Sequence, residues 1–374
     1  MKVCHVTSAH KRYDGRIFRK QCVTLAKEGY EVILLCIDEQ ENEIKDGVKI
    51  ISINKKFKNR YHRIISAKKI LKKHCVKIDA DIYQFHDPEL ESLAYYMKKL
   101  GKKVIFDSHE DYVASIEDKK WIPSLLKKPI KKIYEKLEKN KLSKLDGVFV
   151  SSPHIYSRLK NVNTNTVILE NFPTLDEINN QISKRDNNVI CFGGGISRQW
   201  MHHNIIKAIE KIKDVKYILA GPVFDGYLDE LKSLKGFSKV TYKGQITKSE
   251  LNDLYSKCEI GMALNDYVAN VGYHEGSLGN TKIFEYMASQ LPIIATDFNV
   301  WKKIIVDENC GICVNPNNID EIENAIRKLV NNPKLATEMG KNGYNLVISK
   351  YNWENIKDKL LNTYEDVINK ENNI

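Results

Sequence analysis

Lys282 and Glu285 lie three residues apart in the segment Leu278-Gly-Asn-Thr-Lys-Ile-Phe-Glu-Tyr-Met-Ala-Ser-Gln-Leu-Pro-Ile-Ile-Ala-Thr-Asp297. After Gly279, either Asn280 or Thr281 can cap a helix that runs to about Ser289, and Pro292 opens a buried strand. At this spacing both side chains leave the same side of the helix start. Free N–H groups and the positive dipole end there suit an anion. Lys282 adds a point charge for a phosphate, and Glu285 can accept two hydrogen bonds from a ribose diol. The same spacing also makes an ordinary surface ion pair, so these two residues alone leave both readings open.

A second segment, Val189-Ile-Cys-Phe-Gly-Gly-Gly-Ile-Ser-Arg198, reads as a strand, a glycine turn and the approach to a helix. Gly194 and Gly195 would let a backbone come close to a phosphate, and Arg198 can supply charge. The pattern is neither a Walker motif nor a full G-x-G-x-x-G, and a plain tight turn explains it as well. Leu219-Ala-Gly-Pro222 and Tyr242-Lys-Gly-Gln-Ile246 end two further strands. In the first half, His86 and His109 each follow a strand and are flanked by acids, in Phe85-His-Asp-Pro-Glu-Leu90 and Lys103-Lys-Val-Ile-Phe-Asp-Ser-His-Glu-Asp111. Asp14, Gly15 and Arg16 follow the first strand, where Arg16 and Arg19 could clamp an anionic acceptor. Cys310-Gly-Ile-Cys313 has no second such pair and reads as strand, not metal site. Asp79-Ala-Asp81 precedes its strand and reads as loop.

The elements that must carry these groups alternate along the chain. Strand-like runs are Val3–Thr7, Val32–Ile37, Ile82–Phe85, Val104–Phe106 and Val148–Val150, with amphipathic stretches such as Ile17–Lys27 and Glu89–Leu100 between them. The pattern pauses at Glu170–Thr174 and a polar stretch, Asp176–Asn188. It resumes with Val189–Phe192, Tyr217–Ala220, Val240–Tyr242, Ile260–Ala263, Ile293–Ala295 and Ile312–Val314. Repeated strand and helix predict α/β domains with parallel sheets covered on both faces. The expected organisation is two Rossmann-like doubly wound domains, 1–172 and 173–351, facing each other across a ligand-binding cleft. A final amphipathic helix, 352–374, is expected to return to the first domain through Ile356, Leu360, Leu361, Tyr364 and Ile368.

The 374 residues suit two domains, and 42% hydrophobic with 29% charged residues is a globular balance, too apolar for disorder. No apolar run reaches the roughly 18 residues of a membrane span, and the first residues lack the apolar core of a signal peptide. A cytoplasmic protein is therefore expected. The net charge is +11, but residues 1–172 carry +13 and residues 173–374 carry −2. A basic first half points to an anionic partner. Residues 119–144 hold ten lysines and two glutamates, interleaved with Trp121, Ile122, Leu125, Leu126, Ile130, Ile133, Tyr134 and Leu137. This suits a segment lying on an anionic bilayer. A solvated helix with its apolar stripe packed on its own domain is the other reading. No RNA-binding motif accompanies the segment, and no nucleic-acid partner is expected.

The segment around Lys282 resembles the donor-binding signature of family 4 of the retaining GT-B glycosyltransferases, in the branch N-K-x-F-E-Y-M-A-x-x-L-P-I-I-A. Matches extend from Met1-Lys-Val-Cys-His-Val-Thr-Ser8 to Tyr351-Asn-Trp-Glu354. The resemblance implies that Glu285 holds the ribose of a nucleotide sugar, with Gly279, Asn280 and Thr281 beside it. It implies that Gly194 and Gly195 form the pyrophosphate loop, that the base lies near Gln245 and Ile246, and that His109 meets the donor sugar. Asp14, Gly15, Arg16 and His86 would face the acceptor or the cleft. Ser277 stands where the family often has a second Glu, and Glu275 could replace it. Trp200-Met201 stands where a basic residue and Gly are common, so Arg198 or Lys282 would carry the charge. The implied activity is retaining transfer from a UDP-sugar donor to a lipid-linked or growing envelope polysaccharide, at the inner face of the plasma membrane. No cofactor or metal is expected: Lys282 and Arg198 would stabilise the leaving diphosphate. A UDP-sugar epimerase and a non-catalytic GT-B subunit are the alternatives.

Overall fold

The computed structural model describes residues 1–58, 60–118, 122–178 and 185–369. Lys119, Lys120 and Trp121 of the basic segment, part of the polar stretch 176–188, and the end of the expected last helix lie outside the described residues. The chain divides into two units, Met1–Asn171 with Ile356–Ile374, and Phe172–Asn355.

The first unit holds β1 (Lys2–Val6), β2 (Glu31–Asp38), β3 (Glu43–Lys45), β4 (Val48–Asn54), β5 (Ile82–Phe85), β6 (Lys103–Ser108), β7 (Gly147–Val150) and β8 (Thr166–Ile168). Their order in the sheet is β3-β4-β2-β1-β5-β6-β7-β8. All neighbours run parallel except β3 and β4. Consecutive residues of β5 and β7 are buried, as a parallel sheet covered on both faces requires. Chain order reverses between β1 and β5, so the crevice at their carboxyl ends is the binding position of this fold. The expected strands form. The β3–β4 hairpin and β8 were not anticipated. Asp46 and Gly47 close that hairpin with φ of 49° and 78°, the backbone a two-residue turn demands. The stretch Ile17–Lys27 forms a π-helical turn, Ile17–Cys22, continued by an α-helix, Val23–Lys27.

A buried polar network ties this unit together. Arg16 grips Asp107 with two hydrogen bonds, at 2.9 and 2.7 Å, and donates to the Leu169 carbonyl at 2.8 Å. Gln21 donates to Asp107 at 2.9 Å. His86 meets Asp107 through Nδ1 at 3.2 Å and His5 through Nε2 at 3.0 Å. The last helix, Lys357–Asn369, joins through Tyr364, whose hydroxyl donates to Gln84 at 2.7 Å and lies 3.3 Å from His5. Leu360, Thr363, Tyr364 and Val367 are its buried side, and Lys359 pairs with Glu170 at 2.8 Å.

The second unit holds β9 (Val189–Gly193), β10 (Lys216–Ala220), β11 (Val240–Tyr242), β12 (Ile260–Ala263), β13 (Ile293–Thr296) and β14 (Gly311–Val314). Their order is β11-β10-β9-β12-β13-β14, all parallel, with the reversal between β9 and β12. Ile190, Phe192, Tyr217, Leu219, Ile260 and Met262 pack against Ile205 and Ile209 of the helix His202–Glu210. Cys310 immediately precedes β14 and Cys313 lies in it, and burial pushes both thiols up to about 12, so neither is a thiolate at neutral pH.

Burial pushes the Asp107 carboxyl up, but Arg16 and His86 more than offset it and hold the group well below the usual range. Asp107→Ala leaves the Arg16 charge buried without a partner, which should cost about 3–5 kcal/mol. Urea unfolding should show that loss, and a change below about 1 kcal/mol would contradict the network's role.

Candidate functional site

In the second unit, three strand ends are laced into one loop cluster. Gly194 N–H donates to the Ala220 carbonyl at 2.8 Å, Ile196 to Pro222 at 2.8 Å, and Gly221 to Gly244 at 2.7 Å. A Cβ on Gly221, whose φ is +137°, would fall 1.9 Å from the Gly194 carbonyl oxygen. Only glycine permits this approach. A Cβ on Gly194 would stand 2.7 Å from Lys282 Cε and 3.4 Å from its Nζ. The lysine therefore lies flat along the glycine turn at the end of β9, beside the sheet's reversal.

Lys282 opens the helix Lys282–Ala288, and Asn280 Oδ1 accepts its N–H at 3.1 Å. Thr281 is the N-cap but makes no side-chain capping bond, and its hydroxyl instead donates to Glu285 at 3.0 Å. The helix spans seven residues, too short to sum much dipole, so the positive charge at its start comes chiefly from Lys282. Lys282 pairs with Glu285 at 3.1 Å, Lys248 lies 3.9 Å from its other oxygen, and Tyr255 donates to it at 3.4 Å. Burial raises the Glu285 carboxyl, but Lys282, Lys248 and the Thr281 hydroxyl bring it down to about 2. Glu285 is thus an ionised acceptor, 17% exposed, with a cation beside it. The rear of the helix is fixed by Phe284, in edge contact with Phe172 (4.7 Å between ring centres) and tilted against Tyr351 (5.4 Å).

The other expected donor residues lie in the same unit. Gly195 packs under Phe224, which is 51% exposed. Gln245 is exposed and Ile246 half-buried, just ahead of the helix Lys248–Lys257, whose Thr247–Glu250 capping box sets its start. Gly279 donates its N–H to the Ser277 hydroxyl at 3.0 Å, and Trp301 donates to the Ser277 carbonyl at 3.0 Å. Ser277 therefore holds the turn. Glu275 is exposed and accepts from Asn299 at 3.0 Å.

Two departures from the expected charges have physical causes. Arg198 forms a surface ion pair with Glu230 and lies over the Tyr227 ring, while Lys282 is the cation seen against the Gly194 turn. Trp200 packs on Phe192, with 4.9 Å between rings. Met201 takes the left-handed backbone, φ 49° and ψ 27°, that a glycine would adopt freely.

In the first unit, the switch-point crevice is lined by loops after β1, β5 and β6. Asp87 accepts from Thr7 Oγ1 at 2.9 Å, Ser8 N–H at 2.5 Å and Ser8 Oγ at 3.2 Å, and pairs with His10 at 3.0 Å. The His10 ring meets His109 edge-on, 5.0 Å between centres. His109 Nδ1 lies 3.2 Å from the Asp107 carbonyl, which assigns the proton to Nδ1 and leaves Nε2 as an acceptor. Three expectations change here. His86 is 1% exposed, with both ring nitrogens engaged, and belongs to the core instead of the crevice. Arg16 is 5% exposed and fully occupied by Asp107 and Leu169, so it is not available to clamp an acceptor. Asp14 Oδ1 accepts the N–H groups of Arg16 and Ile17, at 2.8 and 2.9 Å, and so caps a helix start, while Gly15 has open space where a Cβ would lie. Lys248, Tyr255, His10 and Asp87 were missed. The signal available was weak, since each becomes a site residue only through partners distant in sequence.

Burial lowers His10, but the hydrogen bond and charge of Asp87 outweigh it and raise the group. Burial lowers His109, aided by the Arg16 and His10 charges against Asp107. A two-dimensional NMR titration should find His10 titrating above, and His109 below, the ordinary value of about 6.5. The His10–Asp87 pair then contributes fully to stability below that ordinary value and is lost as pH rises through His10's own raised value. The reverse order of the two histidines would contradict this geometry.

The profile for Glycosyltransferase Family 4 matches residues 15–171, and that for Glycosyl transferases group 1 matches residues 174–346. The chain is 24% identical over 200 residues to alpha-D-kanosaminyltransferase of Streptomyces kanamyceticus, covering 51% of this chain and 49% of that one. It is 31% identical over 98 residues to the poly(ribitol-phosphate) alpha-N-acetylglucosaminyltransferase of Staphylococcus aureus, covering 26% and 20%. The chain thus spans about half, or less, of the length of these curated relatives. Anabaena HepE, solved in complex with UDP-glucose, shares the fold with a TM-score of 0.71 at 11% identity, over 98% of this chain and 99% of that one. Two adjoining profiles, the two parallel sheets and this fold likeness agree: the chain belongs to family 4 of the GT-B glycosyltransferases.

Proposed function

We propose that this chain is a retaining glycosyltransferase that moves a hexosyl group from a UDP-sugar to a lipid-linked or growing cell-envelope polysaccharide, without a metal ion. The observation that carries this is the Lys282–Glu285 pair held against Gly194. A ribose diol can take the ionised Glu285 oxygens, and a diphosphate on the glycine turn can take Lys282. Gln245 and Ile246, ahead of the helix that carries Lys248, would meet the base. Lys282 faces the charge that grows on the leaving diphosphate, which is the task a metal would otherwise perform. The acceptor hydroxyl attacks the anomeric carbon on the face the diphosphate leaves. Its proton passes to the departing phosphate oxygen, so no separate base is needed. His109 Nε2 offers a hydrogen-bond acceptor to a sugar hydroxyl.

The UDP assignment draws support from the UDP-glucose complex of HepE, and the polymeric acceptor from the poly(ribitol-phosphate) transferase. The basic first half suits work at the inner, anionic face of the plasma membrane.

Incubation with candidate UDP-sugars and lipid-linked acceptors provides the test. UDP release should depend on acceptor, persist in excess EDTA, and give a product with the donor's anomeric configuration. UDP-sugar interconversion without acceptor would make the chain an epimerase, and full loss in EDTA restored by magnesium would remove the metal-free mechanism.

A further inference from the structure

The helix Ser124–Leu142 presents two different sides. It packs on the helices Glu91–Lys99 and Tyr112–Asp118. That inner side is largely polar. Tyr134 donates to Glu91 at 2.8 Å, Lys141 pairs with Glu91 at 2.9 Å, and Lys127 donates to the Glu117 carbonyl at 2.6 Å. Lys131 pairs with Glu117, and the buried Glu138 pairs with Arg158. Leu142 is the buried apolar residue at its end.

The apolar residues do not pack inward. Leu126, Ile130, Ile133 and Leu137 recur at i, i+4, i+7 and i+11, one stripe of a helix, and are 51%, 39%, 61% and 51% exposed. Leu125, at the helix start, is 90% exposed. Lys128, Lys132 and Lys136 are exposed on the adjoining outward side. The lysines thus fall into two sets. Lys127, Lys131, Lys139 and Lys141 are held by carboxylates or a carbonyl of their own unit, and Lys128, Lys132 and Lys136 face outward without such partners among the described residues.

We propose that this helix docks in the plane of an anionic bilayer, with the Leu126–Ile130–Ile133–Leu137 row entering the acyl boundary and Lys128, Lys132 and Lys136 meeting lipid phosphates. An apolar stripe bordered by unpaired lysines is the pattern of an interfacial helix. No helix among the described residues is long and apolar enough to cross a membrane, so the contact is lateral. A second copy of the chain is the poorer occupant, because a two-fold contact would bring the same three lysines together from both sides. The inference deepens the proposal of a lipid-linked acceptor and rests on it for its purpose, but its readout does not use transfer.

Flotation of the full chain with vesicles tests it. Vesicles of phosphatidylcholine with about one-third phosphatidylglycerol should carry the protein, and pure phosphatidylcholine should not. Leu126→Ser with Ile133→Ser should lower binding about tenfold or more at every salt concentration. Lys128→Glu, Lys132→Glu and Lys136→Glu together should abolish it, with UDP affinity unchanged as the control for folding. Undiminished flotation of the serine variant overturns insertion of the row. No flotation, or a native dimer that the serine variant splits, overturns the bilayer as the occupant. Flotation by a chain that binds no nucleotide keeps the docking helix and removes the transferase reading instead.

Discussion

Burial works to neutralise the Glu285 carboxyl, and Lys282 and Lys248 keep it ionised. Much of the second unit follows from that balance. Lys282 meets the carboxylate while lying across the end of β9, and Gly194 is the residue that leaves room for it. Tyr255 stands behind both, its one hydroxyl proton shared between the Gly193 carbonyl at 3.3 Å and Glu285 at 3.4 Å. Phe284 locks the helix that carries the pair against Phe172 and Tyr351, so residues near both ends of the unit meet at its rear. In this state lysine and carboxylate satisfy one another. A diol and a diphosphate would divide them, each taking a partner already oriented, which lowers the ordering cost of binding.

The first unit depends on a different buried charge. Asp107 closes the end of β6, and Arg16 at the cap of the Ile17–Cys22 turn, Gln21 within that turn and His86 from the end of β5 converge on it. The chain His86–His5–Tyr364 then carries the network to the last helix. One step outward, the Asp107 carbonyl fixes the His109 tautomer, and Asp87 fixes His10 beside it. Crevice histidines are therefore oriented by groups that are themselves buried, as a preorganised polar site requires. Position after a strand suggests ligand contacts for Arg16 and His86, but this chain uses both to hold its frame.

Strand alternation was legible because parallel strands buried on both faces read as unbroken apolar runs, as in Val32–Ile37 and Ile260–Ala263. The β3–β4 hairpin had a signal in Asp46-Gly47, but β3 has three residues and β4 mixes buried and exposed positions, so neither gives such a run. The spacing of Lys282 and Glu285 identified the pair without saying whether it was more than a surface bridge. Its meaning came from Gly194 and Lys248, which are distant in sequence. The surface pairing of Arg198 was hidden for the same reason, since Glu230 cannot be assigned to it from spacing. Charge counting found the basic segment around Ser124–Leu142 and could not sort its lysines. Only the packing shows that Lys127, Lys131 and Lys141 tie the helix to its neighbours and that the apolar row turns outward.

The central claim is that Glu285 holds a ribose and Lys282 a diphosphate, and comparing uridine with UDP separates the two. Calorimetric titration of the native chain, Glu285→Ala and Lys282→Met should give two patterns. Glu285→Ala should weaken both ligands at least about tenfold, from hydrogen bonds to a charged acceptor worth about 1.5–3 kcal/mol each. Lys282→Met should weaken UDP by a similar factor and leave uridine within about twofold. Equal UDP affinity in all three proteins, or a Lys282→Met loss that is the same for uridine and UDP, would contradict the account.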